Sequence, residues 1–267
     1  MIGLFDSGLG GLTVVRRVRE ALPDADLVFF ADQAHVPYGE RSADDLARLV
    51  HLNLGWLDAQ ALDAIVMACN TSCAIADVHG WPVTRARVFD LIDSAALACE
   101  RAGATRIGVV ATAATVQTGA YGRRLRTRIP GAAVVEVAAP ALVPLVEAGQ
   151  AQSEAARIAV AEACAQLPAS LDAVVYGCTH YPMLDEHFAA ALGGRIARLD
   201  PALMQAERTA ALVAQRGRAG AGTTRYVTNG NLEAFTANVA RIMGVAAPAT
   251  ERAEIALPAA ARSNAGV

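Results

Sequence analysis

Short apolar runs, each closed by turn-forming residues and followed by a stretch with helical spacing, alternate along most of the chain. That alternation predicts an α/β protein with parallel strands. The runs place strands near 2–6, 26–31, 63–68, 86–91, 106–111, 133–138, 172–177 and 195–199, and later spacing predicts helices near 202–216 and 232–244. Asp93-Ser94 reads as the cap of an alanine-rich helix. Between the two late helices, Gly217-Arg218-Ala219-Gly220-Ala221-Gly222 reads as a flexible loop.

The pattern also repeats. Asp63-Ala64-Ile65-Val66-Met67-Ala68 precedes Cys69-Asn70-Thr71, and Asp172-Ala173-Val174-Val175-Tyr176-Gly177 precedes Cys178-Thr179-His180. Ile2-Gly3-Leu4-Phe5-Asp6-Ser7 matches Ile107-Gly108-Val109-Val110-Ala111-Thr112, and Val36-Pro37 with Glu40 matches Val143-Pro144 with Glu147. Offsets of 105, 107 and 109 residues in collinear order point to a duplicated unit. The expected fold is α/β, with two similar parallel-sheet domains related by pseudo-two-fold symmetry and an active site in the interdomain cleft. The expected division is 1–91 plus 205–256 for the first domain and 92–204 for the second, with 257–267 as a flexible tail. Loops at the strand ends of parallel sheets carry ligands, and Asp6-Ser7, Cys69 and Cys178 all stand there.

Composition narrows the chemistry. With 267 residues, 54% of them hydrophobic and 18% charged, the chain can bury two cores. Its net charge of −3 and scattered arginines leave no nucleic-acid footprint. No window reaches the roughly 18 apolar residues of a membrane span, and the chain opens on a strand-like Ile2-Gly3-Leu4-Phe5 without a cleavable apolar lead. A cytoplasmic protein is expected. Five cysteines, an odd number, argue for reduced thiols, and Cys99 and Cys164 read as core. All 23 cationic side chains are arginine. Without lysine, neither a pyridoxal Schiff base nor a P-loop can form.

Two thiols reaching one carbon from opposite sides suit removal of a proton from one face and delivery to the other. A thiol has an unperturbed pKa of ~8.5 and responds strongly to its surroundings, so Cys69 and Cys178 are candidate base and acid. Asp6 can assist at Cys69 or simply cap the following helix, and His180 can assist at Cys178. After Asp6, Ser7-Gly8-Leu9-Gly10-Gly11 can offer backbone N–H groups to a carboxylate. As a dinucleotide fingerprint the run fails, because Thr13 stands where the third glycine belongs. Cys69, Cys73, Cys178, His180 and His187 match zinc spacings poorly, so no metal is expected. Triad, nucleophile-elbow and zincin motifs are missing.

With these motifs assembled, the sequence resembles the glutamate racemases of the cofactor-independent aspartate/glutamate racemase superfamily. The resemblance runs through Phe5–Thr13, Val36–Ser42, Ala68–Ser72, Ala111–Thr115 with Gly119-Ala120-Tyr121, Val143–Glu147 and Gly177–Pro182. It implies interconversion of L- and D-glutamate without a cofactor, with D-glutamate destined for peptidoglycan. The thiol matching Cys69 then takes the proton from D-glutamate, and that matching Cys178 takes it from L-glutamate. Asp6, His180 and Glu147 fall on assisting positions; Asp6, Ser7, Tyr38, Gly39, Asn70, Thr71, Thr112, Thr179 and His180 fall on substrate-binding ones. A homodimer is compatible with the resemblance. Two segments depart from the family pattern: Val137–Leu142 lacks a cysteine and a phenylalanine common before the Val-Pro, and Asp90–Ser94 is an unusual exit from the first unit. On the residues, three rivals stay open: a racemase for aspartate or another acidic amino acid, a decarboxylase needing one thiol, and a noncatalytic interaction protein.

Overall fold

The computed structural model describes residues 1–216 and 220–255. The first half runs β1 (Ile2–Asp6), α1 (Leu12–Ala21), β2 (Leu27–Ala31), α2 (Ala43–Asp58), β3 (Ala64–Met67), α3 (Asn70–His79), β4 (Arg87–Phe89) and α4 (Leu91–Arg101). The second runs β5 (Arg106–Ala111), α5 (Ala113–Thr118), α6 (Ala120–Arg128), β6 (Ala133–Ala138), α7 (Leu142–Glu147), α8 (Glu154–Ala165), β7 (Ala173–Gly177), α9 (Asp185–Leu192) and β8 (Ala197–Leu199). The chain then returns through α10 (Pro201–Arg216), β9 (Thr224–Thr228), α11 (Leu232–Met243) and β10 (Ala249–Arg252).

Two all-parallel sheets result, ordered β10-β9-β2-β1-β3-β4 and β6-β5-β7-β8. The order β2-β1-β3-β4 is repeated by β6-β5-β7-β8, and the register is kept. Ile2 pairs with Leu27 and Ala64, as Ile107 pairs with Val134 and Ala173. Alternation along the strands sends neighbouring residues to different cores. Phe5, Ile65, Val109 and Val175 join Ile75, Ala95, Cys99 and Leu125 in one apolar cluster shared by both sheets. Leu4, Phe29 and Val66 pack the other face against Val15, Val18, Phe235 and Val239. Val110, Val174 and Tyr176 pack against Val160, Cys164, Tyr181 and Phe188. Continuous apolar runs therefore mark strands buried on both faces.

Three features differ from the sequence expectation. β9 and β10 extend the first sheet, where only helices had been foreseen. The helix after β4 is capped by Asp90 rather than Asp93-Ser94, since the Asp90 carboxylate accepts the Ile92 and Asp93 amides at 2.9 and 3.3 Å. The described part of the supposed loop is tied down: Gly220 and Gly222 donate to the Asp24 carbonyl, and Asp26 accepts from Ala221 and Thr223. The tail 257–267 lies outside the described residues. No helix among the described residues is long and apolar enough to cross a membrane.

α10 locks the first sheet from behind. Its fully buried Gln205 donates to the carbonyls of Met67 and Phe89 at 2.7 and 2.9 Å, and accepts from the Ser94 hydroxyl at 2.7 Å. Those carbonyls end β3 and β4. Gln205→Leu keeps the bulk but strands them, and is expected to cost about 2 kcal/mol in urea unfolding. An unchanged midpoint would show that the amide is dispensable.

Candidate active site

β3 and β7 occupy equivalent positions next to the first strand of each sheet, and each delivers a cysteine at its C-terminal end. Cys69 is the N-cap of α3, so its sulfur lies beside the free N–H groups of a helix start. Cys178 follows Gly177 directly; a Cβ at Gly177 would stand 2.8 Å from the Val110 carbonyl, so only glycine permits that approach of β5 and β7. Both cysteines are buried, and both line one cavity of about 390 Å³.

The same cavity is lined by Asp6, Ser7, Tyr38, Gly39, Asn70, Thr71, Thr112, Glu147, Thr179 and His180, so it gathers every residue expected to assist or to bind substrate. Val36-Pro37 and Glu40 from one unit also line it, with Val143-Pro144 from the other. The repeated Val-Pro pairs were the signal for those walls. Pro140 brings the departing segment 137–142 to the cavity as well. His187 is elsewhere, with Nε2 2.9 Å from the Ala151 carbonyl.

The two thiols have different neighbours. Ser7 Oγ lies 3.5 Å from the Cys69 sulfur. Burial and the nearby Asp6 charge push the Cys69 thiol up to about 12. Asp6 itself is held above the ordinary carboxylate range by burial, partly offset by His180 and by the Gly11 amide that donates to it. On the other side, His180 Nδ1 lies 3.5 Å from the Cys178 sulfur, and Nε2 lies 2.6 Å from Glu147 Oε1. Burial opposes a charge on His180, but Cys178 and Glu147 outweigh it and raise its pKa well above the ordinary value. Burial likewise opposes the Glu147 charge, yet His180 holds that carboxyl below its usual range. One thiol is thus paired with a carboxylate and the other with an imidazole–carboxylate couple.

Hydroxyls and amides supply the remaining polarity. Thr71, Thr112 and Thr115 bring their Oγ1 atoms within 2.9–3.2 Å of one another across the two units. Asn70 is fixed by the Tyr121 hydroxyl, which donates to its Oδ1 at 2.5 Å. Behind Tyr38 lies a group that sequence reasoning missed. Asp32, fully buried, accepts from the Tyr38 hydroxyl and from the amides of Asn53 and Asn229, and sits 2.6 Å from His35 Nδ1. It anchors the loop that carries Val36 to Glu40. No arginine lines the cavity among the described residues.

The family model described as Asp/Glu/Hydantoin racemase matches residues 11–209. A glutamate racemase of Gloeobacter violaceus is 44% identical over 222 residues, covering 81% of this chain and 82% of that protein. A glutamate racemase of Desulforudis audaxviator is 38% identical over 255 residues, covering 91% and 93%. The crystal structure of glutamate racemase from Thermus thermophilus in complex with β-chloro-D-alanine superposes with a TM-score of 0.82 at 34% identity, covering 95% of this chain and 96% of that one. The chain belongs to the Asp/Glu/hydantoin racemase family and is an amino-acid racemase.

Proposed function

We propose that the chain interconverts L- and D-glutamate by a two-base mechanism in which Cys69 and Cys178 exchange the roles of base and acid. The observation that carries this reading is the pair of sulfurs on one cavity, each at the same strand end of a repeated sheet. A cavity of about 390 Å³ is of ligand-binding size. With no arginine among the described residues of its lining, the two substrate carboxylates are received by neutral donors: the hydroxyls of Ser7, Thr71, Thr112 and Thr179, the Asn70 amide, and the N–H groups that open α3. Such donors compensate the burial of charge.

In the L-to-D direction the Cys178 thiolate takes the α-proton. The Cα–H bond breaks, its electron pair delocalises into the α-carboxylate, and the Cys69 thiol donates its proton to the opposite face. The His180 cation stabilises the Cys178 thiolate at the start, and Asp6 draws the proton from Cys69 when the reaction runs in reverse. A thiol pushed up to about 12 suits a proton donor to a carbanion. The units 1–91 plus 205–256 and 92–204 act as the two bodies that close over substrate and exclude water. The D-glutamate formed supplies peptidoglycan synthesis.

Circular dichroism with L-glutamate, D-glutamate and aspartate tests the reaction and its preference; decay of both glutamate signals to zero, with aspartate slow, is expected. In D2O at early conversion, the product enantiomer should carry one solvent deuterium at Cα while recovered substrate keeps its proton. Product that retains the substrate proton would point to a single shared base. Cys69→Ser and Cys178→Ser are each expected to lower kcat/KM by about 10³-fold or more, and near-normal turnover in either would sink the two-thiol assignment.

Asp6 gives a pH prediction. A carboxyl with its native pKa above the unfolded value binds more protons when folded, so its contribution to stability falls as pH rises from the unfolded pKa through the native one. Asp6→Asn removes that loss. Its Tm relative to the parent is therefore expected to rise across that window, while turnover falls; a pH-independent Tm difference would contradict the burial-raised pKa.

A further inference from the structure

We propose that Thr13 is a positioning residue for the Cys178 face of the site, acting through His180; the proposal rests on the two-thiol reading above. Thr13 sits in the first turn of α1, in the first unit, and lies outside the cavity lining. Its hydroxyl nevertheless donates across to the second unit. Thr13 Oγ1 stands 3.0 Å from the Thr179 carbonyl and 2.8 Å from the Gly10 carbonyl, so one proton is shared between two acceptors. The Thr179 carbonyl belongs to the peptide group whose nitrogen is that of His180. Holding that carbonyl fixes the plane from which the imidazole projects.

Two further contacts of His180 come from the same short segment. Gly10 lies so close that a Cβ there would stand 2.5 Å from His180 Nδ1 and 2.5 Å from Thr179 Oγ1. Glu147, which receives His180 Nε2 at 2.6 Å, also accepts the Leu9 amide at 3.4 Å. The imidazole that faces the Cys178 sulfur is therefore oriented by residues 9–13 of the opposite unit. A hydrogen bond of 3.5 Å to sulfur has little tolerance for rotation. Losing the Thr13 anchor lets the Thr179–His180 peptide turn, and Nδ1 moves off the thiol it serves. Cys69, whose neighbours are Ser7 and Asp6, is disturbed less, because the Gly10–Gly11 peptide that donates to Asp6 keeps the Thr13 backbone N–H on its carbonyl, at 3.0 Å, when the hydroxyl is gone.

The test uses the full chain and α-deuterated substrates. In the two-thiol reading L-glutamate gives its proton to Cys178 and D-glutamate gives its proton to Cys69. Because the equilibrium constant is one, a defect on either face lowers kcat/KM equally in both directions, and only isotope effects reveal which transfer has slowed. Thr13→Val, which keeps the shape and removes the donor, is expected to lower kcat/KM about tenfold. Its primary isotope effect on kcat/KM should rise with L-glutamate and fall with D-glutamate, and Thr13→Ser should restore both to parental values. Thr13→Ala, which adds no apolar bulk, serves if the valine variant fails to fold. Loss of activity with isotope effects unchanged, or a valine variant as active as the parent, would overturn the positioning role while leaving the two-thiol reading intact. A parent protein inert towards both enantiomers would overturn both.

Discussion

Bringing two sulfurs to one cavity requires two separate strands to end there, and this constraint runs through the whole molecule. β3 and β7 meet it because each lies beside the first strand of its sheet, in the same order and register. The apolar cluster common to both sheets holds one against the other through α3, α4 and α6. Close packing makes that layer a continuous spacer between the sheets. A change in its thickness would alter the gap between the sulfurs before it touched any polar residue, so part of the site's geometry is written in alanines and leucines far from the chemistry.

Within this repeated frame the chemistry is not repeated. By the offsets that relate the two units, Asp6 corresponds to Ala111, and His180 corresponds to Thr71. Besides the thiols, Glu40 and Glu147 match, and of these two only Glu147 contacts a histidine. One thiol is faced by a buried carboxylate and the other by an imidazole held by Glu147. A symmetric scaffold thus sets unlike polar groups beside its two thiols.

Much of this was legible in the chain because burial on both faces leaves a plain signature. β1 to β8 were marked by apolar runs, and the thiols, Asp6 and His180 by their places at strand ends. β9 (Thr-Arg-Tyr-Val-Thr) and β10 (Ala-Thr-Glu-Arg) were not, because threonine, arginine and glutamate interrupt their apolar runs. Asp90 and Asp93-Ser94 offered competing caps, and only tertiary packing chose between them. Asp32 and Thr13 were missed for a different reason. Asp32 meets Asn229 across 197 positions and Thr13 meets Thr179 across 166, so neither pairing leaves a local pattern.

The late strands break the internal symmetry in one more respect. β2 is covered by β9, whereas among the described residues its counterpart β6 is hydrogen-bonded on one side only, to β5. An open strand edge invites pairing with another chain and, through it, aggregation. β6 answers with Glu136 near its middle, turned inward so that Oε1 accepts the Gly122 amide at 2.9 Å and Oε2 is buried, and an inward-pointing carboxylate is one device that discourages a further strand. One half of the molecule is sealed by additional sheet and the other guarded by a charge, so the C-terminal return, remote in sequence from both thiols, protects the solubility of the half that lacks a guard.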